Sequence, residues 1–364
     1  MKRNPSLSLI FLILLFTNCQ NAEKKVLRLK QKELSFVTHF PSYNLNYFTD
    51  DTVECISFAD FVTSKKISFH SLKSGKKWSV SLVSLMNKEK EKFIYYHVVS
   101  SDSIILLSKY TNKIYLINRK AEILKKLDYS RLLLEGIEFV PPIYTNGTSI
   151  YLAFNNYPVK NPQSSEEQTN WEQESFKKGC ITKINMENDL ATPEYLGQNL
   201  FNRFIKKNQV LADGVHFYLN RSKVYYHSAY SDTIYLIDPT QIFPLLKVHS
   251  DIGKIALSPS TREAYKKNVN CINEAYLKNA FISSLLFDDI RNLVYVFIRK
   301  PKIGENFPFR ILIYDQNFKK LDETGFDGTK YHPNGFIGKE GLYLLRKFDI
   351  NPNQKSFDLF VYEK

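Results

Sequence analysis

The chain has 364 residues and a formal charge of +13, with 50 Lys and Arg against 37 Asp and Glu, and it is 43% hydrophobic. Its 27 Phe and 23 Tyr set against 13 Gly and 3 Met describe pleated, half-buried surfaces, and an all-β unit of this length needs no second domain. The lysine pairs Lys65-Lys66, Lys76-Lys77, Lys125-Lys126 and Lys206-Lys207 are spread along the chain, which reads as a solvated surface. The functional alternative for this charge is attraction to anionic lipid or anionic glycan.

At the N-terminus Lys2 and Arg3 precede an apolar run, Leu7 to Phe16, that stops at Thr17-Asn18-Cys19. A basic start and an apolar core of about ten residues make an export signal, short for a membrane span. Residues 1–18 are therefore expected to be a signal peptide, 19–24 a tether and 25–364 a single folded domain. Leu15-Phe16-Thr17-Asn18-Cys19 resembles a relaxed lipobox and is similar to those of Bacteroidota lipoproteins. The resemblance implies that Cys19 carries lipid (palmitate) and that the protein is anchored to the outer membrane, with the periplasmic side and the cell surface both open. The alternative is a plain cleaved signal with an incidental cysteine. Export makes nucleic acid a poor partner. Cys55, Cys180 and Cys271 remain, allowing one disulfide at most, with none expected. They form no C-x-x-C pair, so neither zinc nor any other cofactor is expected.

Between Phe93 and Leu127 four short alternating segments follow one another across turn material: Phe93 to Val98, Ser103 to Ser108, Lys113 to Asn118 and Glu122 to Leu127. The same order recurs from Gly214 to Val248, and Lys113-Ile114-Tyr115-Leu116-Ile117-Asn118 nearly repeats as Thr233-Ile234-Tyr235-Leu236-Ile237-Asp238. Weaker copies begin near Tyr43, Glu138, Phe281 and Pro333. Six such meanders of roughly 40 to 50 residues predict an all-β, six-bladed β-propeller. The last unit has room for three strands, so an N-terminal segment, Lys25 to Lys30 or Leu34 to Val37, is expected to close the ring. A β-sandwich is the competing fold.

Behind the lipobox, Tyr230-Ser231-Asp232-Thr233-Ile234-Tyr235 and Phe287-Asp288-Asp289-Ile290-Arg291-Asn292-Leu293-Val294-Tyr295-Val296 resemble a family of Bacteroidota six-bladed propeller lipoproteins. The resemblance spans nearly all of the mature chain and implies fold and address. It brings no catalytic residues.

In a repeated meander the loops between strands two and three, and from strand four to the next unit, share one face. Two insertions decorate that rim: Phe154 to Cys180, which holds Trp171, and His249 to Phe281. In the second, Ser260-Thr261-Arg262-Glu263 forms a capping-box pattern before Tyr265, Val269, Ile272 and Tyr276, predicting a short helix. Second strands end at this rim with Tyr110, Asn155, Tyr230, Arg299 and Arg346, residue types that suit sugar rings, peptides or anions. These five and Trp171 are the candidate binding residues. Trp78 reads as packing. Asp50-Asp51, Glu166-Glu167 and Asp288-Asp289 read as turns, and His97 and His227 as strand residues. The seven histidines have no metal spacing, and no hydrolase or nucleotide motif is present. The expected function is a lipid-anchored envelope binding or scaffold module, acting as a monomer, that holds a protein, peptide or glycan. The alternative is a propeller hydrolase or lyase acting on a polysaccharide, with carboxylates converging from separate units.

Overall fold

In a meander flanked by neighbours on both faces, the inner strands become continuous apolar runs, while the outermost strand keeps an alternating, half-wet pattern. The computed structural model describes residues 27–37, 45–50, 52–109, 111–134, 137–156, 180–187, 193–197, 209–210, 216–239, 241–258, 260–261, 267–268, 270–347 and 354–363. It begins with β1 (Leu27–Val37), followed by blade 1: β2 (Leu45–Asp50), β3 (Val53–Asp60), β4 (Lys66–Ser71) and β5 (Lys77–Ser81). Helix α1 (Val83–Glu89) leads to blade 2: β6 (Phe93–Ser100), β7 (Ser103–Ser108), β8 (Lys113–Ile117) and β9 (Ile123–Asp128). Helix α2 (Arg131–Leu134) precedes blade 3: β10 (Ile137–Asn146), β11 (Ser149–Asn156), β12 (Ile181–Asn185) and β13 (Glu194–Leu196).

A short strand, β14 (Gln209–Val210), comes before blade 4: β15 (His216–Asn220), β16 (Lys223–His227), β17 (Thr233–Ile237) and β18 (Ile242–Lys247). Then come β19 (Ser260–Thr261), α3 (Cys271–Lys278) and blade 5: β20 (Phe281–Asp288), β21 (Leu293–Arg299), β22 (Phe309–Asp315) and β23 (Lys320–Phe326). Blade 6 is β24 (Tyr331–Ile337), β25 (Leu342–Arg346) and β26 (Gln354–Tyr362), with β1 as its fourth strand in the order β1-β26-β25-β24. The fold is a six-bladed β-propeller of four-stranded antiparallel sheets. The two candidate closing segments belong to one strand, which pairs with β26 on both sides of a register irregularity between Lys30 and Leu34.

The blades are held together by apolar clusters, each shared between two neighbours. Strand β7 shows the logic: Ile104, Ile105, Leu106 and Leu107 are all fully buried. Ile104 and Leu106 join Phe69 and Val80 of blade 1, whereas Ile105 and Leu107 join Phe139, Ile150 and Leu152 of blade 3. Ring closure uses the same device, with Ile56 and Phe58 of blade 1 packed on Phe336, Tyr343 and Phe357 of blade 6. Trp78 stacks on Phe69 at 5.2 Å, as packing.

The hairpin after β20 is a charged staple at the face opposite the long insertions. Buried Asp288 accepts from the Arg291 backbone N–H at 3.0 Å and from its guanidinium at 2.7 Å. The same guanidinium reaches Gly338 O and Lys339 O of blade 6. Cys55, Cys180 and Cys271 are free thiols.

In the fourth-to-fifth connection residues 262–266, which follow the capping-box pattern, lie outside the described residues, and Lys267 is helical ahead of α3. Ser260 and Thr261 are extended and pair with Val210 and Gln209, so their backbone groups find strand partners. The helix runs from Cys271 to Lys278, carries Ile272 and Tyr276, and seats Tyr276 edge-on against Phe281 at 5.0 Å. No helix among the described residues is long and apolar enough to cross a membrane.

Candidate functional site

The first strands β2, β6, β10, β15, β20 and β24 stand innermost and surround the axis. Side chains on these strands alternate between the two neighbouring blades, and those nearest the axis border the central space. They enclose a cavity of about 340 Å³ lined by Leu45 from blade 1, Tyr95 from blade 2, Tyr144 from blade 3, His216 and Tyr218 from blade 4, Ser284 from blade 5 and Asn334 from blade 6. None of the residues lining it is charged. Leu45 and His216 open their strands and Leu345 comes near the end of β25, so the cavity lies toward the face carrying the long insertions.

The aromatic wall is ordered by ring contacts. Tyr144 meets Phe217 edge-on at 5.2 Å and Tyr218 at 6.4 Å. Behind them His227, fully buried, stacks between His216 at 5.2 Å and Tyr218 at 5.5 Å, and its Nε2 lies 3.2 Å from the Tyr218 hydroxyl. Two residues beyond Tyr95, His97 ties three innermost strands together. Its Nδ1 lies 3.4 Å from Asn46 Nδ2 of blade 1, and its Nε2 lies 3.3 Å from Thr145 Oγ1 of blade 3. Walled in by protein, its imidazole is pulled by burial from 6.5 to about 4. Burial likewise raises the phenols of Tyr95 and Tyr144. The lining includes no Asp, Glu, Lys or Arg, so the channel presents aromatic rings, hydroxyls, an imidazole and an amide. Such a lining can stack on and hydrogen-bond to a neutral ring, and it contains no carboxylate pair of the kind a glycosidase uses.

The predicted rim residues fall in different settings. Cys19, Tyr110 and Trp171 lie outside the described residues, and so does the side chain of Asn155, whose backbone pairs with Glu138 one residue before the end of β11. Tyr230 is 8% exposed, because the chain after β18 folds back with Leu257 N–H donating to Ala229 O at 2.8 Å and packs Tyr230 among apolar side chains. Arg346 pairs with buried Asp358 at 2.7 Å, and Asp358 also accepts from the Tyr331 hydroxyl at 2.7 Å. Arg299, at the equivalent strand end of the preceding blade, lies over the Phe307 ring at 4.4 Å. The axial Tyr95, His97, Tyr144, His216 and Tyr218 were absent from the sequence-based candidates. Their signal is alternation along the first strand of each unit, legible only once the face turned to the axis is known.

This geometry defines a six-bladed propeller with a neutral axial cavity beneath a loop-bearing face. Among solved structures the chain is similar to a member of the DUF4221 family from Bacteroides vulgatus, with a TM-score of 0.72 at 15% identity over 93% of this chain and 99% of that one. It is also similar to a protein from Bacteroides fragilis named for its inferred export, with a TM-score of 0.53 at 12% identity over 93% and 95% of the two chains. These likenesses are of fold. No protein-family model matches the chain, and neither does any curated protein sequence.

Proposed function

We propose that the protein is a non-catalytic binding module of the bacterial envelope whose axial cavity receives a neutral, ring-bearing ligand, such as the end of a glycan, through the loop-bearing face. The observation that carries this reading is the cavity wall, which draws aromatic, polar and apolar side chains from all six blades and includes no Asp, Glu, Lys or Arg. At about 340 Å³ it is at the small end of ligand sites, sized for one or two rings rather than a folded partner. The export signal and Cys19 support an exported, lipid-anchored address, and the fold shared with two Bacteroides proteins supports a place among Bacteroidota propellers. The address is tested by the mass of the mature N-terminal peptide: acylated Cys19 is expected, and an unmodified terminus rejects the anchor. Binding is tested by calorimetry against neutral and charged oligosaccharides and peptides. Neutral sugars should bind and lose affinity by about tenfold or more in Tyr144→Ala, the loss expected when a buried aromatic anchor is truncated; a panel without any binder rejects the reading.

A further inference from the structure

Outside the channel, the loop-bearing face holds a cation that has no acid partner among the described residues. Arg299 is half-buried at the end of β21, its guanidinium carbon 4.4 Å from the centroid of the Phe307 ring and its Nε enclosed without a hydrogen-bond partner. Lys302 and Lys347 bring their ammonium groups to 5.2 and 5.7 Å from the same ring. The described acids of this corner are engaged with other groups, Glu305 with Lys302 itself. Asp327 accepts from Asn306 Nδ2 and the Thr329 backbone, Asp358 holds Arg346 and Tyr331, and Glu305 lies 3.7 Å from Lys302 with its side chain 98% exposed.

The ledge under Arg299 is fixed in place. Lys300 N–H donates to Pro308 O at 2.9 Å and Ile303 N–H to Asn306 O at 2.9 Å, closing the loop that carries Phe307. Gly328 packs so closely that a Cβ there would fall 1.9 Å from Phe307 O, so any side chain at this position would displace the ring. An enclosed guanidinium N–H without a partner is a desolvation cost that native structures retain for a reason, and burial draws Arg299 below its ordinary value, with no acid among the described residues to restore it.

We propose that Arg299, seated on Phe307, is a subsite for the carboxylate of an acidic ligand lying on this face, with Lys302 and Lys347 adding positive potential. The planar guanidinium fork matches a planar carboxylate in two parallel hydrogen bonds, and the ring behind it fixes the plane of the fork. The subsite is separate from the channel and stands whether or not the channel binds neutral sugar.

The test is titration of the mature chain with an oligogalacturonate, alongside a neutral galacto-oligosaccharide and inorganic sulfate. The acidic oligomer should bind, and Arg299→Gln should weaken it by about tenfold or more, the cost of losing a charged hydrogen-bonding partner. Arg299→Lys, which keeps the charge and loses the fork, should recover only part of that affinity, and binding of the neutral oligomer should not change in either variant. Should Arg299→Gln fail to fold, the wild-type arginine Nε–H resonances provide the readout: one signal, missing from Arg299→Lys, should shift saturably with the acidic oligomer. No binding of that oligomer, equal affinity in Arg299→Gln, sulfate binding as tightly as carboxylate, or the absence of a shifting Nε–H signal would each overturn the assignment.

Discussion

His70 and His97 are both held neutral, at different depths of the molecule. His70, on β4, is 5% exposed and meets Phe58 edge-on at 5.9 Å, and its imidazole is pulled from 6.5 to about 4 by burial first and by Lys77 second. As pH falls below 6.5 the unfolded chain takes up a proton before the folded one does. The contribution of His70 to stability is therefore complete above pH 6.5 and is lost as pH drops through about 4, amounting to roughly 1–3 kcal/mol. Denaturant melts at pH 7 and pH 4.5 should show this loss, and His70→Phe should reduce it; a pH-independent midpoint across that interval contradicts the burial. At this scale the sequence was least informative. Tyr230 and Arg346 look alike as strand ends, yet one is covered by the returning chain at Leu257 and the other is tied to Asp358, and both partners are remote in sequence. By contrast, the turn reading of Asp288-Asp289 needs only its neighbours, and the backbone hydrogen bond from Arg291 to Asp288 realises it.

Elements were far more legible, because a blade writes its pattern locally. Ser103–Ser108 is read from alternation and flanking turns with the bounds the structure shows, and the Thr233 to Asp238 segment ends one residue past its strand, Thr233–Ile237. The short β19 was not legible locally, since it exists through its pairing with β14, some fifty residues earlier, and no local cue carries that contact. The closing strand was legible by counting strands rather than by its own sequence. Its role predicts that removing residues 25–37 strips β26 of its outer partner and exposes Phe357 and Phe360, both buried in the closed ring. An open edge strand pairs with other chains, so the truncated protein should melt earlier and self-associate by size-exclusion chromatography. A truncated protein as stable and as monodisperse as the parent would show that blade 6 does not depend on β1.

For the whole molecule, the fold and the proposed binding site meet on the axis. Radial repetition buries both faces of every blade, which accounts for the apolar runs, and it leaves the first strands of six different units facing one another. The channel lining is thus assembled from residues up to roughly 300 positions apart, and only the closed ring shows that they share one cavity. Lipid at Cys19 would hold this ring through the seven residues, 20–26, that separate it from β1, a reach of at most roughly 25 Å, beside the seam where β1 meets β26. The measurement that bears most directly on axial binding is calorimetric titration of the best neutral sugar into the wild type and into Ser284→Phe. That substitution places a ring in the cavity from a half-buried position on β20. Axial binding predicts that the plugged variant keeps its fold and arginine resonances while losing affinity by at least about tenfold; unchanged affinity in a folded Ser284→Phe protein would place the ligand elsewhere and contradict the account.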